Sequence, residues 1–305
     1  MSKLGLALGG GGARGISHIG VLKVLEEEKI KIASITGCSM GAVVGGLYAY
    51  FGSAGRVEDF VLQAISDPKF KLLDVDTFNK DSAKPDKNYF DHIINYIGEK
   101  LNAIKSLGRL SYFEDDILNE IFKMIPDVPI ESLGLKFSAI ATDLISGEEI
   151  NLTRGSLRSI LKASSAIPGI FPPVEYKNKL LVDGSASESV PVAKVKDIGA
   201  DRVLAVDVSS ELNPIRSVKN LIEILYRTED ISSYHLSHLR LQEADLILSP
   251  KVKQLSWVDF EKAAEIISAG ETAARENLIA IKKLVRRNSY VLKVEHYIKK
   301  LKGND

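Results

Sequence analysis

Two glycine-rich loops near the N-terminus constrain this chain more than any other feature. The first, GGGGARG at residues 9–15, follows the apolar run of residues 4–8 and precedes a helical pattern that begins at Ile16. The second, GCSMG at residues 37–41, follows a β-rich run at residues 30–36 and precedes an apolar helical pattern. Strand, helix, strand and helix in this order predict a parallel sheet with helices on its faces. Both loops then open at the same edge of the sheet, where such folds bind ligands.

The second loop has the form G-x-S-x-G, which is a nucleophile elbow when it lies between a strand and a helix. In an elbow, Ser39 occupies a sharp turn with its hydroxyl exposed, and Gly37 and Gly41 let the strand and the helix approach closely. The N-terminus of the helix after Met40 favours developing negative charge. Because five-residue patterns also arise by chance, the motif alone leaves a catalytic serine and an ordinary turn equally open.

The first loop also fits G-x-G-x-x-G, the pattern of a dinucleotide-binding turn. That interpretation needs a carboxylate at the end of the next strand, and the residues there are Ile35 and Thr36, so nucleotide binding is a minor alternative. An oxyanion hole fits better, because the N–H groups of Gly10, Gly11 and Gly12 can converge on one point in front of a helix. A glycine-lined turn without a ligand is the plainer alternative.

A nucleophilic serine needs a base, and the histidines do not supply one clearly. His235, His238 and His296 follow the serine in the order that a hydrolase triad requires, but all three lie in polar, helix-like surroundings. His18, one turn into the first helix, suits a structural role. Asp183 follows a strand pattern at residues 179–182 and precedes a glycine, although Asp-Gly in that position is more often only a turn.

Four stretches together resemble the motifs of the patatin-like phospholipase family, in the family's order. They are the glycine loop at residues 10–15, the elbow at residues 37–41, the block ASSAIPGIFPP at residues 163–173, and the Asp-Gly pair that begins at Asp183. The resemblance runs from about residue 4 to residue 199. It implies a three-layer α/β/α fold with a mostly parallel central sheet, a helical insertion and a helical C-terminal extension.

The resemblance also implies a Ser-Asp dyad that works without histidine. Ser39 would be the nucleophile, and Asp183 would take its proton. The implied oxyanion and substrate-binding residues are Gly10, Gly11, Gly12, Arg14 and Met40, with motif support from Gly15, Gly37, Gly41 and Gly184. Gly11 and Gly12 would donate N–H groups while Gly10 shapes the loop, and Arg14 would orient the loop or meet a lipid phosphate. The chain departs from the family at Ser185, where glycine or alanine is usual, which puts the reaction rate in question.

The domain organisation follows from changes in composition. Residues 1–210 are expected to form the patatin-like core, interrupted at about residues 67–127 by an insertion that is either a lid or a peripheral helical element. Residues 211–285 would complete the same domain with helices, including one long helix over residues 260–285. Residues 286–305 form a basic amphipathic pattern that suits docking on the protein itself or contact with an anionic membrane surface.

Composition excludes several other classes of protein. Lys plus Arg and Asp plus Glu are 40 each, so net charge gives no argument for a nucleic-acid partner. The single cysteine, Cys38, excludes an intrachain disulfide and suits a small buried filler in a reducing compartment. With no signal-peptide pattern and no long apolar run, the expected location is cytoplasmic. No cofactor or metal is expected, and the oligomeric state stays open.

The sequence therefore predicts a serine lipid acyl hydrolase of the phospholipase A, lysophospholipase or carboxylesterase type. An aspartate that must also return its proton to the leaving group favours esters over amides, because alkoxides leave more easily than amines. The alternative is a patatin-like module that binds lipid or protein with little or no turnover.

Overall fold

The computed structural model describes residues 2–71, 111, 113, 115–212, 214–215, 217–218 and 221–286. Eight strands form one sheet: β1 (Leu4–Leu8), β2 (Ile32–Cys38), β3 (Lys136–Asp143), β4 (Glu149–Leu152), β5 (Val174–Tyr176), β6 (Lys179–Asp183), β7 (Arg202–Val206) and β8 (Leu246–Leu248). The described α-helices are α1 (Ser17–Glu27), α2 (Met40–Phe51), α3 (Ala54–Ser66), α4 (Pro68–Lys71), α5 (Asp115–Phe122), α6 (Leu157–Ser164), α7 (Val192–Asp197), α8 (Leu221–Leu241), α9 (Ala263–Glu276) and α10 (Leu278–Arg286).

The sheet has a parallel part and an antiparallel part. The strand order is β5-β6-β3-β2-β1-β7-β8, with β4 also paired to β3. Strands β3, β2, β1, β7 and β8 run parallel to one another, whereas β4 and β6 are antiparallel to β3, and β5 is antiparallel to β6. The parallel part brings the carboxyl ends of β1 and β2, and the loops that follow them, to one edge of the sheet.

Both faces of the sheet are covered, as the three-layer prediction requires. Alternate side chains of β1 point to opposite faces, because the side-chain period of a strand is two. Leu4, Leu6 and Leu8 belong to the larger apolar cluster, with α1, α2 and α9. Ala7 belongs to a second cluster on the other face, with members from β7, α7 and α8: Val190, Val192, Val195, Val203, Ala205 and Leu241. The predicted α/β/α architecture with a mostly parallel central sheet is confirmed.

One edge of β3 is shared between two strands, and this brings Ser39 and Asp183 to the same place. Strand β4 pairs along the other edge of β3. On the shared edge, β2 pairs in parallel as far as Cys38 opposite Ile140, and β6 takes over antiparallel with Asp183 opposite Ala141. The last residue of β6 therefore lies next along β3 after the last residue of β2. An antiparallel strand reaches the carboxyl edge here because it starts beyond that edge and ends at it.

Three details differ from the sequence predictions. The single helix expected over residues 260–285 is wrong: a 3₁₀ turn at Phe260–Lys262 leads into α9, and the helix breaks at Asn277 before α10 begins. The sequence reading did not predict β5. The first glycine loop is partly helical, because residues Gly12–Ile16 form a 3₁₀ helix that runs directly into α1.

Parts of two predicted regions lie outside the described residues. Within the insertion, the polar loop expected at residues 74–87 and the helix expected at residues 89–107 are not among them, whereas the next expected helix is α5. The basic C-terminal pattern lies outside the described residues beyond Arg286, where α10 ends.

Candidate active site

The backbone at Ser39 has the strained geometry of an elbow. Its φ of 51° and ψ of −125° are unusual for a residue with a side chain, and such a conformation costs about 1–3 kcal/mol. The turn joins β2, which ends at Cys38, to α2, which begins at Met40. A Cβ on Gly41 would lie 2.2 Å from the carbonyl oxygen of Leu8, so only glycine lets α2 cross β1 this closely.

A buried serine that the sequence analysis did not assign supports this turn. The Ser39 N–H donates to Ser164 Oγ at 3.1 Å, and the Ser164 hydroxyl donates to the carbonyl oxygen of Ile140 at 2.6 Å. Ser164 is fully buried at the end of α6. It therefore ties the elbow to β3 and satisfies a backbone N–H that would otherwise be unpaired. Its signal in the sequence was the serine-rich block at residues 163–173.

Asp183 is a buried carboxylate beside the elbow. It is 1% exposed, and its Oδ1 accepts the Ser185 N–H at 2.8 Å and the Cys38 thiol at 3.6 Å. Burial raises the pKa of Asp183 above its ordinary value, while interactions with Ser185, the Ser39 side chain and Cys38 act in the opposite direction. Within the described structure Oδ2 has no hydrogen-bond partner of good geometry, so the Ser39 hydroxyl is near the carboxylate without a short bond to it.

Cys38 is the buried side chain that the sequence predicted, and it also contacts Asp183. Its pKa is raised well above its ordinary value, first by burial and then by the negative charge of Asp183. The thiol therefore stays protonated and acts as a weak hydrogen-bond donor to the carboxylate.

The first glycine loop leaves two backbone N–H groups without a backbone partner. The Gly10 N–H donates to the carbonyl oxygen of Ser189 at 3.0 Å. Among the described residues, the N–H groups of Gly11 and Gly12 donate to no backbone carbonyl. Gly12 has a φ of +57°, and a Cβ there would lie 2.4 Å from the carbonyl oxygen of Trp257. The loop thus holds Gly10 in place and leaves Gly11 and Gly12 available as donors.

His18 supports the same loop from below. It is fully buried, and its Nε2 donates to the carbonyl oxygen of Gly9 at 2.8 Å. Burial lowers the pKa of His18 to about 4, with the hydrogen bond to Gly9 and the charge of Asp207 acting in the opposite direction. The imidazole is therefore neutral at ordinary pH, consistent with the structural role expected for it.

Two pockets of opposite character meet at Ser39. The apolar cleft opens toward α2, α3 and α5, and it encloses about 960 Å³ including its open mouth, within the usual range for ligand sites. Among the residues that line it are Gly12, Met40, Val43, Leu47, Ile121 and Phe122. The polar pocket lies on the other side of Ser39, and among the residues that line it are Gly10, Gly11, Arg14, Ser185, Asp230 and Tyr234.

The remaining predicted residues are placed as follows. Arg14 is 3% exposed and reaches the polar pocket from the 3₁₀ turn. The Met40 N–H is the first of α2, one of the helix N–H groups that have no partner within their own helix. Gly15, Gly37 and Gly184 sit where other atoms would lie within 2.7 Å of a Cβ. These glycines shape the site and line neither pocket.

Two searches of the described residues found nothing. No helix in the described ranges combines the length and the hydropathy that crossing a bilayer requires. In that same part of the chain, no three His, Cys, Asp or Glu side chains are grouped so that they could hold a metal ion.

The chain belongs to the patatin-like phospholipase family, because the model of that family matches residues 6–195. An uncharacterized NTE family protein of Mycobacterium tuberculosis is 34% identical over 221 residues, which cover 71% of this chain and 52% of the relative. The lysophospholipase nte1 of Emericella nidulans is 28% identical over 308 residues, covering 92% of this chain and 18% of the relative. This chain therefore spans about half the length of the mycobacterial relative and less than a fifth of the fungal one.

Among solved structures, VipD from Legionella pneumophila resembles this chain at 16% sequence identity. The match covers 92% of this chain and 67% of that chain, with a TM-score of 0.49.

Proposed function

We propose that this protein is a serine lipid acyl hydrolase that cleaves carboxylic esters through Ser39 and Asp183. The observation that carries the proposal is the position of Ser39 where the apolar cleft and the polar pocket meet. An ester with an acyl chain in the cleft and a polar alcohol in the pocket would present its carbonyl at the Ser39 hydroxyl. The family membership and the printed lysophospholipase name of the fungal relative agree with this chemistry.

The first half of the reaction acylates Ser39. The Ser39 oxygen attacks the carbonyl carbon while Asp183 takes the hydroxyl proton. The N–H groups of Gly11, Gly12 and Met40 are the candidate donors to the oxyanion, and one such donor is typically worth about 2.7–4 kcal/mol of barrier. The carbon–oxygen bond to the alcohol then breaks, and Asp183 returns the proton to the departing oxygen. Water completes the cycle through the same two proton transfers and releases the carboxylic acid.

The environment of Asp183 suits a base that must both accept and return a proton. Burial raises its pKa toward the range where an aspartate takes a proton more readily. No histidine lines either of the two pockets, and His18 is bonded to the glycine loop instead. The carboxylate is therefore the candidate base at Ser39.

The test combines turnover with covalent labelling. Wild-type protein is expected to hydrolyse p-nitrophenyl esters and to react with a fluorophosphonate at Ser39. Ser39→Ala should abolish labelling and lower kcat by roughly 10³-fold or more, and Asp183→Asn should lower kcat comparably because an amide cannot take the proton. Ser268→Ala, on the exposed side of α9, is the matched control and should behave as wild type.

Two results would contradict the proposal in different ways. Turnover and labelling that survive in both Ser39→Ala and Asp183→Asn would exclude the dyad. Lipid binding by the wild type with neither turnover nor labelling would support the alternative of a binding module, in which Ser185 has altered the setting of Asp183.

A further inference from the structure

The polar pocket is unusually rich in hydroxyl groups. Seven of its thirteen lining residues are serines: Ser39, Ser185, Ser189, Ser209, Ser210, Ser233 and Ser237. Tyr234 adds a phenol. A serine hydroxyl can donate one hydrogen bond and accept others, so this lining suits a ligand whose groups also do both.

Several of these hydroxyls have no protein partner. In the described part of the chain, the side chains of Ser233 and Ser237 on α8, like those of Ser189 and Ser210, make no hydrogen bond to another protein group. The outward-facing Ser232 differs, because its hydroxyl donates to the carbonyl oxygen of Thr228 at 2.9 Å. Ser237 is only 6% exposed, so its hydroxyl is largely removed from bulk water without a partner in the protein. Such groups are costly unless a ligand or water satisfies them.

The charges around the pocket disfavour an anionic ligand. Arg14 is the only cation in the lining, whereas Glu229 and Asp230 are both carboxylates. Asp230 is 9% exposed, and Arg227 lies 3.3 Å from its Oδ2. A phosphate here would gain Arg14 and meet two like charges, which are unfavourable in a partly buried site. A quaternary ammonium would gain the carboxylates, but it has no group that hydrogen-bonds to the serines.

We propose that the polar pocket binds a neutral polyhydroxyl alcohol, either glycerol or a sugar, as the leaving group of the ester. Its hydroxyls exchange hydrogen bonds with Ser233 and Ser237, and Asp230 accepts a further one. This inference rests on the proposed function, because the acyl chain of the same ester occupies the apolar cleft. The bond that breaks is the acyl carbon–oxygen bond to that alcohol, which leaves with the proton from Asp183.

The first experiment compares esters that share one acyl chain. Monooleoylglycerol, glucose monooleate, oleoyl lysophosphatidylcholine and ethyl oleate differ only in the alcohol part. We expect kcat/KM for the glycerol or the glucose ester to exceed that for both of the others by at least about tenfold, as two good hydrogen bonds would give. Whichever of the two is faster identifies the source of the hydroxyls. Equal or faster cleavage of lysophosphatidylcholine or ethyl oleate would overturn the inference.

The second experiment assigns the preference to α8. Ser237→Ala should lower the ratio of kcat/KM for the preferred ester to that for ethyl oleate by about fivefold, and Ser233→Ala should act in the same direction. Ser232→Ala is the matched control on the same helix and should keep the wild-type ratio. A wild-type ratio in Ser237→Ala, or an equal drop in Ser232→Ala, would contradict the role of this face.

A binding measurement separates this inference from the proposed function. Ser39→Ala protein should bind monooleoylglycerol or glucose monooleate more tightly than oleoyl lysophosphatidylcholine in calorimetry, whether or not the wild type turns them over. Turnover without a preference would overturn the pocket assignment alone. Absence of turnover and labelling in the wild type would overturn the hydrolase, and the calorimetry would still decide what the pocket binds.

Discussion

The apolar cleft and the polar pocket share Ser39 but are built in different ways. The walls of the cleft continue the main core, since Leu118 and Phe122 line it and are also nearly fully buried. The polar pocket is assembled from strand-end loops and one face of α8, far apart in the sequence. The comparison teaches that a cleft of this kind recognises length and apolarity, whereas chemical selectivity resides in the hydroxyls and charges on the other side.

The largest effect is expected from blocking the apolar cleft. Val43 lies on α2, one turn beyond Ser39, and lines the cleft. Val43→Phe should exclude about four methylenes of a long acyl chain, at about 0.8 kcal/mol each, and so lower kcat/KM for an oleoyl ester by roughly 100-fold. The acetyl ester does not fill the cleft and should lose much less. Measuring p-nitrophenyl esters of increasing chain length checks this.

Ile279→Phe provides the control for added bulk, because Ile279 is 86% exposed on α10 and lies outside the cleft. Its chain-length profile should match the wild type. If Val43→Phe lowered the acetyl and the oleoyl esters by the same factor, the cleft would not be the acyl site.

A smaller effect is expected on the polar side, where Ser185 links the pocket to the dyad. Its backbone N–H bonds to Asp183 Oδ1 at 2.8 Å, and its hydroxyl also lowers the pKa of that carboxyl, against the effect of burial. In Ser185→Ala the pKa of Asp183 should rise, so the ionised base is lost at a higher pH. The acidic limb of kcat/KM should therefore move toward neutral pH, with a larger loss of activity at low than at high pH.

The measurement is the full pH profile of the wild type, Ser185→Ala and Ser189→Ala. Ser189 lines the same pocket without an interaction with Asp183, so its variant should keep the wild-type acidic limb. A uniform loss of activity at every pH in Ser185→Ala would indicate a steric role only.

The elbow was predictable because all of its determinants are local. The pattern around Ser39 contains the strand, the glycines and the helix start within a dozen residues. Asp183 was found through a strand-end pattern and a family resemblance, but its nearness to Ser39 depends on register. That register places β6 after β2 along one edge of β3, and nothing in the local sequence specifies it.

The polar pocket was not predictable for a related reason. Ser232, Ser233 and Ser237 are equivalent as letters in a helical sequence, and serine usually indicates a solvated surface. Only the packing of α8 separates the serine that bonds its own helix from the two that line the pocket. Ser164 was likewise visible only as part of a block, because its role depends on two backbone groups from different strands.

The smallest effect is expected at the wall that the two pockets share, the first glycine loop, where Gly11 lines one pocket and Gly12 the other. His18 holds this loop through Gly9, and burial lowers its pKa from 6.5 to about 4. Above pH 6.5 the imidazole is neutral in the folded and unfolded states, so its contribution is complete. As the pH falls from 6.5 toward 4, the unfolded state takes the proton first, and stability is lost, by about 2 kcal/mol between about pH 7 and pH 5. His18→Gln keeps a donor for Gly9 and removes the titration, so urea unfolding should show a shallower decline of its free energy of unfolding over that interval. Equal declines in the two proteins would mean that other groups set the acid sensitivity of the loop.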